Sequence, residues 1–238
     1  MKKLMTIMAM VMAVVAVNAK TLVVYYSYTS NVHNIMNELT KQIDADIVRV
    51  EPAEKGLDYA ANNYAIGSAQ IAAIRNNPND ASSYPAIDPV DVNVADYDCI
   101  IIGAPLWWSQ MAAPLQTFLF HNGPAMAGKK IGLIVSSASS GISGVESDAK
   151  RLIPDGDFLS PSLWIKSAQT SSSASMLQQW LKDINYGAVS GVEYLQPDKS
   201  MDSFTVYSIS GRLIGKNLES LDGLDKGIYI INGKKICK

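Results

Sequence analysis

Three short apolar runs constrain this chain more than anything else in it: residues 22–26 (LVVYY), 98–103 (DCIIIG) and 130–137 (KIGLIVSS). None alternates polar with apolar, so each suits a strand buried on both faces, which requires helices above and below the sheet. Helical spacing fills the intervals. Val32, Ile35, Met36, Leu39 and Ile43 make a first amphipathic helix that ends near residues 44–45. Leu57, Ala60, Tyr64, Ile71 and Ile74 predict a second over 57–75; further helices are expected at 114–120, 145–153 and 175–184. Pro114 is acceptable in a first turn, where its missing N–H is not needed. Residues 47–50 read as a short strand closed by Pro52, and 157–165 hold room for a fifth. Residues 76–89 carry three prolines among Asn, Asp and Ser, which is a loop composition. Strands alternating with helices mean a parallel sheet with helices on both faces, not separate β and α domains.

The two ends of the chain are different in kind. Lys2 and Lys3 precede an apolar stretch over residues 4–17, and Val17-Asn18-Ala19 puts modest side chains before Lys20. A charged start, an apolar run too short for a bilayer span and a small-residue exit describe a signal peptide over residues 1–19. Export to the periplasm, the cell surface or the medium is the expectation, with no stable membrane span once the leader is removed. Around residues 186–191 the alternating pattern stops. From 192 to 238 the sequence reads as a small antiparallel β tail: residues 204–209 alternate, Ser210-Gly211-Arg212 turns, residues 228–231 are apolar and Asn232-Gly233 is a hairpin signal. A β unit that small needs something to dock on.

Net charge is −2 with no long basic run, which argues against nucleic acid and leaves small molecules and other proteins as partners. Cys99 and Cys237 are too few for a disulfide framework; Cys99 sits inside an apolar run as a small core residue.

In open parallel sheets ligands bind beyond the carboxyl ends of the strands. Three loops fall there. The first comes after the opening strand: Ser27, Thr29, Ser30 and Asn31, then Val32 at the head of a helix. Backbone N–H groups, hydroxyls and the positive helix end can converge on an anion held by neutral donors, since no Lys or Arg lies in the turn. The plainer alternative is a βα loop in which Ser30 or Asn31 caps the helix. The second loop, residues 104–111 (APLWWSQM), carries Trp107 and Trp108, which can cover a planar ring or simply pack into core and helix. The third, residues 136–144 (SSASSGISG), is small and uncharged. His33 and His121 read as structural or solvent-exposed, and no side chain stands out as acid, base or nucleophile.

These motifs resemble the flavodoxin-like FMN-binding proteins that have a paired-Trp loop, over residues 21–184. Tyr97-Asp98-Cys99-Ile100-Ile101-Ile102-Gly103-Ala104-Pro105-Leu106-Trp107-Trp108 is similar to the family's Tyr-Asp-x-Ile-x-Ile-Gly-x-Pro-x-Trp-Trp. Ser27-Tyr28-Thr29-Ser30-Asn31-Val32 stands against Ser-Trp-Thr-Gly-Asn-Thr, and Ser136-Ser137-Ala138-Ser139-Ser140-Gly141 against Thr-Ser-Gly-Gly-Ser-Gly. The resemblance implies a flavodoxin-like αβα sandwich over residues 20–187, with five parallel strands in the order 2-1-3-4-5. It implies FMN, with the phosphate on Ser27, Thr29, Ser30, Asn31 and Val32. The ring would lie between Pro105, Leu106, Trp107 and Trp108 on one side and Ser136, Ser137, Ala138, Ser139, Ser140 and Gly141 on the other. Ser30 replaces a glycine, Val32 a hydroxyl, and Ala138-Ser139 a glycine pair; a lost glycine matters where its φ was positive. The tail, VYSISGR and then KGIYIINGKK, looks like the C-terminal sorting-type domain of exported Bacteroidetes proteins.

Two functions are consistent with these features. One is an exported FMN-dependent oxidoreductase or electron carrier, with a quinone, another small oxidant or a redox protein as its partner. The other is a non-catalytic binding or surface module on the same scaffold, with a degenerate flavin site.

Overall fold

A computed structural model describes residues 19–190, 193–194, 203–232 and 234–238. Residues 1–18 of the leader fall outside that set, as does Gly233 of the Asn-Gly turn. Among the described residues no helix is long and apolar enough to cross a membrane.

The parallel sheet forms as the runs dictate. Strand β1 (Thr21–Tyr25) lies between β2 (Asp46–Arg49) and β3 (Cys99–Trp107); β5 (Lys130–Ser137) lies on the far side of β3. The fifth position is shared by two short pieces, β6 (Asp157–Phe158) on the start of β5 and β7 (Leu163–Lys166) on its end. Counted along the chain this is the order 2-1-3-4-5. Because side chains alternate, β1 serves two cores at once. Leu22 and Val24 meet the layer built from α2 (Ala61–Asn76), α3 (Ala113–Asn122) and α4 (Ser143–Leu152). Val23 and Tyr25 meet α1 (Asn31–Thr40) and α5 (Ser173–Asp183) on the other face.

Three elements depart from the sequence pattern. Strand β3 does not end at Gly103 but runs through Pro105 to Trp107 and folds back as β4 (Gln110–Met111). The first residues of α2 are left-handed: Asn62, Asn63 and Tyr64 have φ of 49°, 55° and 62°. Past α5 the helical layer continues into α6 (Tyr186–Ser190), where buried Tyr186 shares a 2.7 Å hydrogen bond with Thr21 Oγ1.

The tail is a separate sheet. Strands β9 (Phe204–Ser208), β10 (Leu213–Leu218), β11 (Ile228–Ile231) and β12 (Lys234–Cys237) are antiparallel. The two-residue β8 (Glu193–Tyr194) joins β12 in parallel, which the tail's sequence does not announce. Its core is Val206, Ile231 and Ile236.

Candidate functional site

The first loop leaves β1 at Tyr26 and enters α1 at Asn31. Its pivot is Ser30, the helix N-cap, at φ 64° with no side-chain capping bond. A left-handed serine costs about 1 kcal/mol relative to glycine, so the residue sits where a glycine would relax the turn. The geometry leaves the N–H groups of Asn31, Val32 and His33 without intrahelical acceptors, pointing out of the positive helix end. Ser27 Oγ is buried, 3% exposed, and has no hydrogen-bond partner among the described residues. Such a hydroxyl costs about 1–3 kcal/mol unless a ligand or water satisfies it. Asn31 Nδ2 donates to Thr29 Oγ1 at 3.2 Å and Asn31 Oδ1 accepts from Thr170 at 3.4 Å, so Asn31 braces the loop. Val32 is buried and offers the site no polar group beyond its N–H.

Sequence reasoning missed the cation beside this loop. Arg49, at the end of β2, donates from Nη2 to the Ser27 carbonyl at 3.0 Å and pairs with Glu51 at 2.7 Å. The turn itself contains no basic residue, but strand order brings one to it from β2.

The second loop is a two-residue hairpin. Trp108 and Ser109 have φ of 47° and 64°, the backbone of a type I′ turn, which ordinarily takes Asn-Gly. Holding two side-chain-bearing residues there costs of order 1–3 kcal/mol each. The surroundings enforce it. Buried Asp148 on α4 accepts the Met111 N–H at 2.9 Å, and Arg151 bonds the same carboxylate at 3.1 Å. Arg151 also donates to Gln116 at 2.7 Å and Tyr84 at 2.9 Å. Gly144 lies so close beneath the turn that a Cβ there would be 1.7 Å from the Ser109 carbonyl oxygen. Trp107 is wedged edge-on to Tyr26, at 5.6 Å and 90°, and against Tyr59 at 4.8 Å. Trp108 is left 44% exposed.

The third loop is relaxed. Ser137 Oγ accepts from Trp164 Nε1 and donates to the Ser140 carbonyl, both at 2.8 Å. Neither Ala138 nor Ser139 has a positive φ, and Gly141 stands in open space. Ser136 Oγ is buried, 5% exposed, without a partner among the described residues. Ser136 lies beside Pro105 in the β3–β5 ladder, so the second and third loops leave the sheet side by side.

All three predicted loops therefore meet at one edge of the sheet, but a cavity of ≈ 350 Å³ there selects among them. Its walls include Tyr28, Thr29, Trp107 and Trp108 from the first two loops, together with Tyr59 and Tyr64. The third loop does not line it. Tyr59 and Tyr64 escaped the sequence reading, which absorbed them into a helix; the Asn-Asn pair between them was the available sign of a left-handed break. Tyr28 donates to Asp58 Oδ1 at 2.9 Å. That bond holds the Asp58 carboxyl below the usual carboxylate range and raises the Tyr28 hydroxyl.

The remaining candidates are structural. His33 shares a 2.6 Å hydrogen bond with Tyr25 through Nδ1 and contacts Asn37 through Nε2. His121 stands edge-on to Phe120 at 5.4 Å. Cys99 is a free, buried thiol that burial pushes up to about 12.

A family model for flavodoxin matches residues 20–184. Among solved structures, the chain is similar to a protein of Bacteroides eggerthii DSM 20697 assigned as a flavoprotein. The two are 24% identical with a TM-score of 0.56, over 71% of this chain and 99% of that one. A Bacteroides uniformis ATCC 8492 protein, likewise assigned as a flavoprotein, is 24% identical with a TM-score of 0.54, over 69% and 99%. A flavoprotein of Lactobacillus acidophilus NCFM, crystallised in complex with FMN, is 20% identical with a TM-score of 0.51, over 66% and 99%. At these identities the likeness is one of fold.

Proposed function

Because the chain belongs to the flavodoxin family, we propose that it is an exported FMN-binding protein that passes electrons between a reductant and a small oxidant or redox protein. The observation that carries the flavin reading is that two buried loop hydroxyls, Ser27 and Ser136, have no hydrogen-bond partner among the described residues. They flank the end of β3, one on the loop that would hold a phosphate and one on the loop that would meet a ring. Both fit a group rich in hydrogen-bonding atoms, and the uncharged loops beside them fit its planar part.

In this reading Ser27 and Thr29 offer hydroxyls to the phosphate, and the N–H groups of residues 30–33 complete the cradle. Arg49 fixes the Ser27 carbonyl from outside the loop while Glu51 pairs its charge. Pro105, Leu106, Trp107 and Trp108 would cover the ring and keep water from it, and Ser136, Ser137, Ala138, Ser139, Ser140 and Gly141 would offer it hydrogen-bonding groups. The two-electron chemistry belongs to the bound flavin, whose potential responds to stacking and to the hydrogen bonds it receives. Export rests on the charged and apolar leader, and the β tail agrees with it. Edman sequencing of the chain from its native cell envelope should begin at Lys20; an intact Met1 counts against export.

The flavin assignment is tested by titrating apo-protein with FMN and monitoring quenching of flavin fluorescence. Saturable 1:1 quenching at micromolar FMN is expected. Trp107→Ala with Trp108→Ala should release the flavin, whereas Thr29→Ala should weaken it by about 1 kcal/mol, one neutral hydrogen bond. No saturable quenching by the parent protein would replace this reading with that of a non-catalytic binding module.

A further inference from the structure

The third loop has little to hold it. Ala138 to Gly141 are exposed, so packing does not fix their path. One side chain from the neighbouring strand does. We propose that Trp164, on β7, is a positioning residue for the flavin ring: its indole N–H sets the third loop in the shape that receives the ring. The inference rests on the flavin reading above and adds to it a residue outside the three loops.

Three observations carry it. The first is a chain of two hydrogen bonds. Trp164 Nε1 donates to Ser137 Oγ, and Ser137 Oγ donates to the Ser140 carbonyl, both at 2.8 Å. An indole N–H only donates, and a serine hydroxyl carries a single hydrogen. With the indole on its lone pair, the Ser137 hydroxyl is turned to donate, and its hydrogen goes to the Ser140 carbonyl. That bond closes the turn around Ala138 and Ser139, where the motif that the loop resembles has a glycine pair. The second observation is placement. In the β5–β7 ladder Trp164 stands beside Val135, Ile165 beside Ser136 and Lys166 beside Ser137. Successive residues of a strand face opposite sides of the sheet, so Trp164 and Ser137 share a side while Ser136 faces the other. The indole therefore uses one hydroxyl to shape the loop and leaves the buried Ser136 hydroxyl without a partner among the described residues. The third is that the indole is itself held. Trp164 is half-buried, and the Lys166 ammonium lies 5.3 Å from the centre of its ring, within reach of a cation–π contact. Fixing one backbone residue costs about 1–2 kcal/mol. A turn already closed before the ring arrives spares binding part of that cost.

The test titrates the full chain with FMN and, separately, with riboflavin, which has the ring and no phosphate. Quenching of flavin fluorescence reads both affinities. Trp164→Phe should weaken both by about fivefold, the effect of one net hydrogen bond, because the ring is common to the two. Thr29→Ala, on the phosphate loop, should weaken FMN and leave riboflavin unchanged. A double-mutant cycle then asks how Trp164 acts. In a Ser137→Ala background, adding Trp164→Phe should cost less than about twofold, because the effect passes through the missing hydroxyl. The full fivefold loss in that background would mean that the indole acts by packing, and overturns the inference. So does a Trp164→Phe chain that binds both flavins as the parent does. Loss of FMN affinity with riboflavin affinity kept overturns it too, since the third loop would then serve the phosphate. Should Trp164→Phe fail to fold, Ser137→Ala alone carries the expectation of about fivefold on both flavins. A parent chain that quenches neither flavin removes the flavin reading and this inference with it. A parent that binds FMN, with Trp164→Phe unaltered in affinity, removes this inference alone.

Discussion

Set against the glycine-bearing motifs that they resemble, the first and third loops both carry residues with side chains, and they accommodate them in opposite ways. In the first loop the replacement, Ser30, still occupies the left-handed region at φ 64°. In the third, Ala138 and Ser139 have ordinary negative φ, and the turn is held instead by Ser137 bonding Ser140 and Trp164. The same change of residue type therefore costs backbone strain in one place and none in the other. The difference lies in how soon a helix must begin after each loop. Ser30 must deliver the chain into α1 within one residue, and its carbonyl already accepts the Asn34 N–H at 2.9 Å. The third loop has residues to spare before α4 and can choose its own path. Among the left-handed residues, Ser30, Trp108 and Ser109 lie in the loops where the geometry is over-determined, and they shape the phosphate cradle and the aromatic wall.

The harshest way to break this contrast is at its most crowded point. In Gly144→Ala the new methyl must displace the Ser109 carbonyl or move α4. A destabilisation of about 2–3 kcal/mol is expected from overpacking, with loss of the Trp108 environment. Urea melts monitored by tryptophan fluorescence measure both; an unchanged midpoint would mean that the hairpin is not clamped by α4. Next in size is a pair of changes with opposite signs. Ser30→Gly should stabilise the chain by about 0.5–1 kcal/mol, because the native φ is already one that glycine prefers. Ala138→Gly should destabilise it by about 0.4–1 kcal/mol, because there glycine only adds freedom to the unfolded chain. If the two shift the denaturation midpoint in the same direction, the proposed division of strain between the loops is wrong.

Much of the architecture was legible in residues 22–26, 98–103 and 130–137 because a strand covered on both faces needs no alternation, and few other structures tolerate such runs. The three loops could be placed from the strands, since their carboxyl ends are fixed once the sheet is parallel. Conformation that local propensity opposes could not be read. Trp108-Ser109 contains neither Asn nor Gly, so nothing announced a type I′ hairpin; α4 enforces it through Asp148 and Gly144. Asn62 to Tyr64 kept the spacing of a helix while leaving its handedness, which hid Tyr64 from the site. Arg49 and Tyr59 reach the loops through strand order and tertiary packing, beyond the reach of motif spacing. At Ser30 the missing glycine marked the strained position, and at Ala138 the same mark was misleading.

The smallest effect tests how the strained first loop is tied to the turn before α2. Tyr28 comes directly after buried Ser27, and its hydroxyl reaches across to Asp58 and accepts from the Ala60 N–H at 3.1 Å. The Tyr28 hydroxyl, and after it the Ala60 N–H, lower the folded Asp58 carboxyl below its usual range. An unfolded aspartate titrates near pH 3.9. A depressed folded value means that the tie contributes its full stability above the unfolded value and loses it as pH falls through the folded one. Asp58→Asn should therefore melt slightly below the parent at pH 7, and the gap should close as pH is lowered below about 4. Both partners face solvent, so screening keeps the effect under those of the glycine exchanges, and added salt should shrink it further. Thermal melts of the two proteins between pH 7 and pH 3 decide it. A gap that stays constant with pH would show that Asp58 acts through its hydrogen bonds alone and that its charge does not hold the first loop to the aromatic wall.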